Sequence, residues 1–354
     1  MTLKQVLAFS AVVMALGSTG FALAQAAPAA PAAPAAQTAP AAKAPPLQLH
    51  SLAPDTVADP FPPVNPKYFT ADTPTVATVD SYLHAVLGYD SNRIWRVAGI
   101  QKTAAPGVSR VIALVSERTP NAKVQQAVFY VMPDGKHLIA ENAGMLPFGA
   151  DPYAPMRQIV EARADGPWHG AASKDLEIVE FADLQCPHCK DAQPTMKRIA
   201  DDFPDAHVVY QNYPLVEIHP FAFKAAAYGV CVAKKSNDAF FTYVQAVYDT
   251  QAQLTDEAAE QTLKAAASKA GADPAAVSAC AATPETKAAV DASTRLAGDL
   301  GVEQTPMLMV NGRLLPLGGV PYETLKEIIA FQAVLDHVPG AVLEQPTLGV
   351  PVQK

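Results

Sequence analysis

A short apolar run, Leu176 to Phe181, leads into Cys186-Pro187-His188-Cys189, and from Pro187 to Phe203 the apolar spacing is helical. This order of strand, cysteine pair and helix constrains the chain more than any other feature. Two cysteines three positions apart at a helix start can close a small disulfide ring. Cys186 falls at or near the N-cap, where unpaired backbone N–H groups and the positive end of the helix dipole favour thiolate over thiol. Cys189 lies a turn further in and is expected to be less exposed. Cys186 is therefore the expected nucleophile, or the sulfur that an incoming thiol attacks, and Cys189 its resolving partner. Pro187 suits the first helical position, where its missing N–H would have no partner anyway. His188 adds a donor and, when protonated, a positive charge near Cys186. Each of these stabilises the reduced pair, which makes the disulfide the stronger oxidant.

Two other readings of the pair are weaker. A purely structural disulfide fits poorly, because exposed pairs at helix starts tend to be reactive. Half of a zinc site would need Cys231 and Cys280 as the other ligands, yet these stand 49 positions apart rather than as a second close pair. No metal and no cofactor is therefore expected. The chain holds four cysteines in all, an even number that suggests two pairs and allows three connectivities.

Residues 1–24 read as a secretory signal: Lys4 gives a positive start, Leu7 to Leu16 an apolar core, and Ala22-Leu23-Ala24 a cleavage site, with Ala26 as a second cutting point. The apolar run is shorter than the ~20 residues of a membrane span. An exported, periplasmic protein is expected. Residues 25–70 begin with an alanine- and proline-rich stretch ending near Pro46, which buries no core and reads as an extended spacer.

Residues 71–163 carry the pattern of a small α+β domain. Thr75 to Leu87 is helical in spacing, Ile94 to Ile100, Ser109 to Ser116 and Gln126 to Val131 are strand candidates, and Pro133-Asp134-Gly135-Lys136 marks a turn from which His137 to Glu141 returns as a strand. Pro152 to Ala164 is a further helix. The turn-rich residues 163–175 mark a boundary, and 164–340 form the second domain, followed by a tail, 341–354. Within it, Ala206 to Asn212 is a strand and Phe221 to about Leu300 is alanine-rich and helical, broken near Gly271 and Pro284. Met307 to Val310 and Arg313 to Leu317 form a hairpin about Asn311-Gly312, and Pro321 to Leu335 is a closing amphipathic helix. The expected fold is α/β: a thioredoxin-like core with a helical domain, 221–300, inserted into it, preceded by the small α+β domain. His219 reads as a cap or surface residue, and Phe240, Phe241, Tyr243, Val244 and Val247 as core.

The formal net charge is −8, from 26 basic and 34 acidic residues; loss of Lys4 with the signal makes it −9. No basic stretch would follow a phosphate backbone, so nucleic acid is not an expected partner.

The segment Val179-Glu-Phe-Ala-Asp-Leu-Gln-Cys-Pro-His-Cys-Lys190 resembles the active-site strand and helix of DsbA-like disulfide oxidoreductases. The resemblance continues through Tyr213-Pro214-Leu215, His219-Pro220, Thr305-Pro306 and Asn311-Gly312, covering about residues 176–335. It implies a thiol-disulfide exchange enzyme that donates disulfides to folding exported proteins and is reset by a membrane redox partner. It implies further that Pro306 is a cis-proline facing the cysteine pair, that Thr305 before it offers backbone hydrogen bonds to bound substrate, and that Glu180 is a buried acid able to relay the proton of Cys189. By the same resemblance Cys231 and Cys280 form a structural disulfide in the helical insert, a bond that stabilises by roughly 4 kcal/mol in the chain-entropy model; two buried free thiols are the alternative.

Gln126 to Ile139 faintly resembles the N-terminal dimerisation domain of DsbC-like isomerases, which implies a homodimer and leaves open a second function, disulfide isomerase or reductase. Thr305 favours that alternative, and the Pro-His pair favours the disulfide donor. A non-catalytic binding module is a third reading, distinguished by indifference to loss of Cys186.

Overall fold

The computed structural model describes residues 59–140 and 143–343. The signal, the spacer up to residue 58, Glu141 and most of the tail lie outside the described residues. The elements are α1 (Val76–Leu87), β1 (Arg93–Lys102), β2 (Ser109–Glu117), β3 (Gln125–Val131), β4 (His137–Ala140), β5 (Gly144–Pro147), α2 (Ala154–Arg163), β6 (Trp168–Gly170), β7 (Glu177–Ala182), α3 (Pro187–Asp202), β8 (His207–Asn212), α4 (Ala222–Ala233), α5 (Asn237–Asp249), α6 (Ala259–Lys269), α7 (Pro274–Ala281), α8 (Pro284–Asp299), β9 (Met307–Val310), β10 (Arg313–Pro316) and α9 (Tyr322–Leu335).

Strands β1 to β5 form an antiparallel meander in sequence order. Alternate residues, Val111, Ala113 and Val115 on β2 and Phe129 and Val131 on β3, face one side, where Val79, Tyr82, Leu83 and Leu87 of α1 cover them. Thr75 caps α1 by accepting from the N–H of Thr78 at 3.1 Å. The spacer reading is corrected at its far end: residues 59–70 lie along β1. Phe69 bridges Ile100, Phe61 is buried, and Arg96 pairs with Asp59 while covering the Phe61 ring.

The second sheet has the order β10-β9-β7-β8-β6, with β7 and β8 parallel and the other neighbours antiparallel. Its central strand β7 is buried on both faces, which explains why Glu177–Ala182 reads as a compact run rather than as an alternation. Ile178 faces one side with Val208, Leu308 and Val310, covered by Ala192, Met196 and Ile199 of α3 and Leu325, Ile328 and Ile329 of α9. Val179 and Phe181 face the other with Val209, Met307 and Met309, covered by Val160 of α2 and Leu296, Ala297 and Leu300 of α8 or just past it. Helix α8 therefore serves two sides: Leu296 and Ala297 cover the sheet, and Val290 packs with α4 to α7 around Tyr228, Phe240, Tyr243 and Leu263. The chain also breaks between α4 and α5 and between α5 and α6. Ser236 caps α5 at the first of these, accepting from Ala239 N–H at 3.0 Å. The expected boundary region 163–175 contains β6, a three-residue edge strand paired with β8.

Candidate active site

Cys186 is the N-cap of α3 with extended backbone, φ −74° and ψ 121°, and Pro187 opens the helix. The strand β7 ends four residues earlier, so the turn 183–186 delivers the first cysteine to the positive end of the helix. Both cysteines are unlinked and buried, Cys186 at 4% exposure and Cys189 fully enclosed. The Cys186 thiol is held down at about 5. The hydrogen bond from the Cys189 thiol is the largest cause; Thr305 and the backbone N–H groups of Cys189 and His188 add to it against the opposing effect of burial. The Cys189 thiol is pushed far up, by burial first and then by the neighbouring Cys186. The two sulfurs thus divide into a ready thiolate and a protonated partner. Pro187 and His188 are exposed, and the His188 backbone N–H is among the groups that hold the Cys186 thiol down.

The Thr305-Pro306 peptide bond is cis, and the Thr305 carbonyl lies 3.8 Å from Cys186 Sγ. Residues 119 positions apart are brought together because β9, which begins just after Pro306, pairs with β7, which ends just before the cysteine turn.

Glu180 projects from β7 toward α3 and is 4% exposed. Burial raises its carboxyl to about 7, partly opposed by Gln193. The Gln193 side-chain amide donates to Glu180 Oε1 at 3.0 Å and to the Cys189 carbonyl at 3.1 Å, tying the acid to the second cysteine. Gln193 stands four residues after Cys189 on the same helix face, a spacing that could have found it. Tyr210 and Tyr248 complete the buried surroundings, with hydroxyls 3.4 Å apart; burial foremost keeps both phenols protonated, helped by Glu180 at Tyr210 and by Tyr210 at Tyr248.

Asp183 has no such sequence signal. Its fully buried carboxylate accepts from Gln185 N–H at 2.7 Å and Leu215 N–H at 2.9 Å, and meets His219 Nδ1 at 2.7 Å. Gln185 Oε1 in turn accepts from Phe221 N–H at 2.7 Å, and Gln251 donates to the carbonyls of Leu184 and Cys186 at 3.0 Å. The cysteine turn is thereby fastened to the loop 213–221 and to the helical cluster. Here His219 is an anchor of the turn. Away from the site, Cys231 of α4 and Cys280 of α7 are joined by a disulfide, S–S 2.07 Å.

Residues 163–330 match a thioredoxin family model. Two curated proteins, Na(+)/H(+) antiporters NhaA 3 of Salinispora tropica and NhaA 1 of Salinispora arenicola, are each 33% identical over 57 residues, 16% of this chain. The match spans 9% of the length of these relatives. Among solved structures, the catalytic domain of Proteus mirabilis ScsC is 24% identical, covering 50% of this chain and 98% of that one, with a TM-score of 0.42. The thiol-disulfide exchange protein alpha-DsbA2 from Wolbachia pipientis is 19% identical, covering 51% and 97%, TM-score 0.43. Pseudomonas aeruginosa DsbA2 is 26% identical, covering 47% and 93%, TM-score 0.38.

Proposed function

We propose, taking residues 163–330 as a thioredoxin-family domain, that this protein is a thiol-disulfide oxidoreductase and that its oxidised Cys186–Cys189 pair donates a disulfide to folding exported proteins. The observation that carries this reading is the division between the sulfurs: Cys186 ionises at about 5 while Cys189 stays protonated.

A substrate thiolate attacks Cys186 Sγ of the disulfide. The S–S bond breaks and its electron pair leaves on Cys189, which takes up a proton. Glu180, at about 7 and linked to the Cys189 segment through Gln193, is the group suited to supply it. A second substrate thiolate then displaces Cys186 from the mixed disulfide. The substrate departs with a new disulfide, having given up two protons and two electrons, and the protein keeps Cys186 as thiolate and Cys189 as thiol. Because the low-lying Cys186 is the better leaving group, the second step favours donation. We assign to the Thr305 carbonyl, 3.8 Å from Cys186 Sγ, the acceptance of a hydrogen bond from substrate backbone; that proximity supports the assignment. Resetting the pair requires an electron acceptor, which we assign to a membrane redox partner; export rests on the signal-like residues 1–24.

The test is the equilibrium of the Cys186–Cys189 pair against glutathione. A potential near about −120 mV supports a disulfide donor, and one toward roughly −200 mV or below replaces it with an isomerase or reductase. Undiminished exchange by Cys186→Ser would remove the catalytic reading altogether.

A further inference from the structure

A cavity of about 420 Å³ opens between the first sheet with its helix and the edge of the second sheet. That size is ordinary for a small-molecule site. Val86 and Leu146 wall it from the first half, and Leu325 and Ile328 of α9 from the second, so most of its surface is hydrocarbon. The charged residues on its wall are Asp299, which Arg163 engages at 2.6 Å, and Arg313, the first residue of the edge strand β10. Arg313 is only 5% exposed, and among the described residues forms no ion pair with any carboxylate. Its guanidinium lies 5.4 Å from the Tyr89 ring centre and 4.8 Å from that of Tyr153. One nitrogen donates to the Val86 carbonyl at 2.7 Å, and another reaches Gln332 Oε1 at 3.5 Å.

A buried charge is costly unless paired. Aromatic faces and neutral oxygens solvate this one without neutralising it. Asp336, which shares Gln332 with Arg313, is already engaged by Arg157 at 2.6 Å and by the amides of Asn311 and Gln332. The phenols of Tyr89 and Tyr153 also line the cavity, and burial keeps both protonated, so they are donors. A guanidinium flanked by two phenol donors at one side of a hydrocarbon-walled cavity is complementary to an anionic head on an apolar body.

We propose that this cavity binds a free long-chain carboxylate, its head group on Arg313 and its chain along Val86, Leu146, Leu325 and Ile328. The proposal is independent of the cysteine chemistry.

Isothermal titration of the full chain with dodecanoate, below its micelle concentration, tests it. The expected result is one saturable site per chain, weakened by about tenfold or more in Arg313→Gln, with dodecanol and acetate each binding far more weakly than dodecanoate. Val86→Trp, which narrows the cavity beside Arg313 and keeps the arginine, should weaken binding about tenfold or more while leaving the circular dichroism spectrum and thiol exchange unchanged. If Arg313→Gln loosens the fold, Val86→Trp alone decides. No saturable binding of dodecanoate, equal binding of dodecanol, or undiminished binding by Val86→Trp would each overturn the proposal.

Discussion

At the scale of single residues, two groups with displaced ionisation make opposite demands on pH. Cys186 falls from an ordinary 9 to about 5, so the reduced protein gains stability as pH rises above about 5 and loses it as pH falls back through that value. At pH 7 the gain is about 3 kcal/mol. Under reducing conditions, the stability lost in Cys186→Ser should accordingly shrink by about that amount between pH 7 and pH 4, as read from urea denaturation. Glu180 behaves the other way. Its carboxyl rises from 4.5 to about 7, so its contribution is complete below about 4.5 and is lost as pH climbs through 7. Glu180→Gln should stabilise the fold by about 3 kcal/mol at pH 8 and by little at pH 4. In the exchange rate, an inflection near pH 7 should vanish in Glu180→Gln. It should move upward in Gln193→Met, because the amide is what holds the carboxyl down. An inflection unmoved by either variant would remove Glu180 from the proton path.

At the scale of elements, the hairpin turn and the helical cluster carry separate constraints. Gly312 has φ +87°, and a Cβ there would stand 2.4 Å from the Tyr153 carbonyl and 2.6 Å from the Arg157 nitrogen. The β9–β10 turn is pressed against the start of α2, and neither neighbour is the end of a flexible side chain. Gly312→Ala should cost more than about 2 kcal/mol, measured by thermal unfolding. The Cys231–Cys280 bond closes a 49-residue separation between α4 and α7. Replacing both cysteines by serine should cost about 4 kcal/mol while leaving the Cys186 thiolate absorbance and its titration unchanged, because the bond lies outside the active-site turn.

For the whole molecule, the helix that follows the first sheet is tied to the end of the last helix through a few buried polar groups. Arg157 on α2 donates to Asp336 beyond α9 at 2.6 Å and to the Asn311 carbonyl at 3.3 Å. Asp336 is 6% exposed and also serves Asn311 and Gln332. Removing the arginine leaves that carboxylate buried without its cation. Arg157→Ala should therefore destabilise by about 3 kcal/mol in chemical denaturation; a change below about 1 kcal/mol would show that the two amides suffice.

What the sequence determined by itself were the features that depend on near neighbours. The strand patterns of β2 and β3, the helical spacing of Thr75 to Leu87, the Pro-Asp-Gly-Lys turn, and Cys186-Pro187 at the head of α3 are each set by residues a few positions apart, and their physical cause is local backbone sterics and hydrogen bonding. Strands β5 and β6 were missed because four or three residues carry no measurable period, and the capping segment 59–70 because proline there resembles spacer. The tertiary structure alone decided the rest. Asp183 meets His219 across 36 residues, and Arg313 enters a cavity whose other wall is 227 residues earlier; that Thr305 meets Cys186 across 119 was implied by the resemblance and by no spacing. Such contacts arise from sheet order and helix packing, where each group is chosen by the burial and charge of a distant partner, and no spacing along the chain records that.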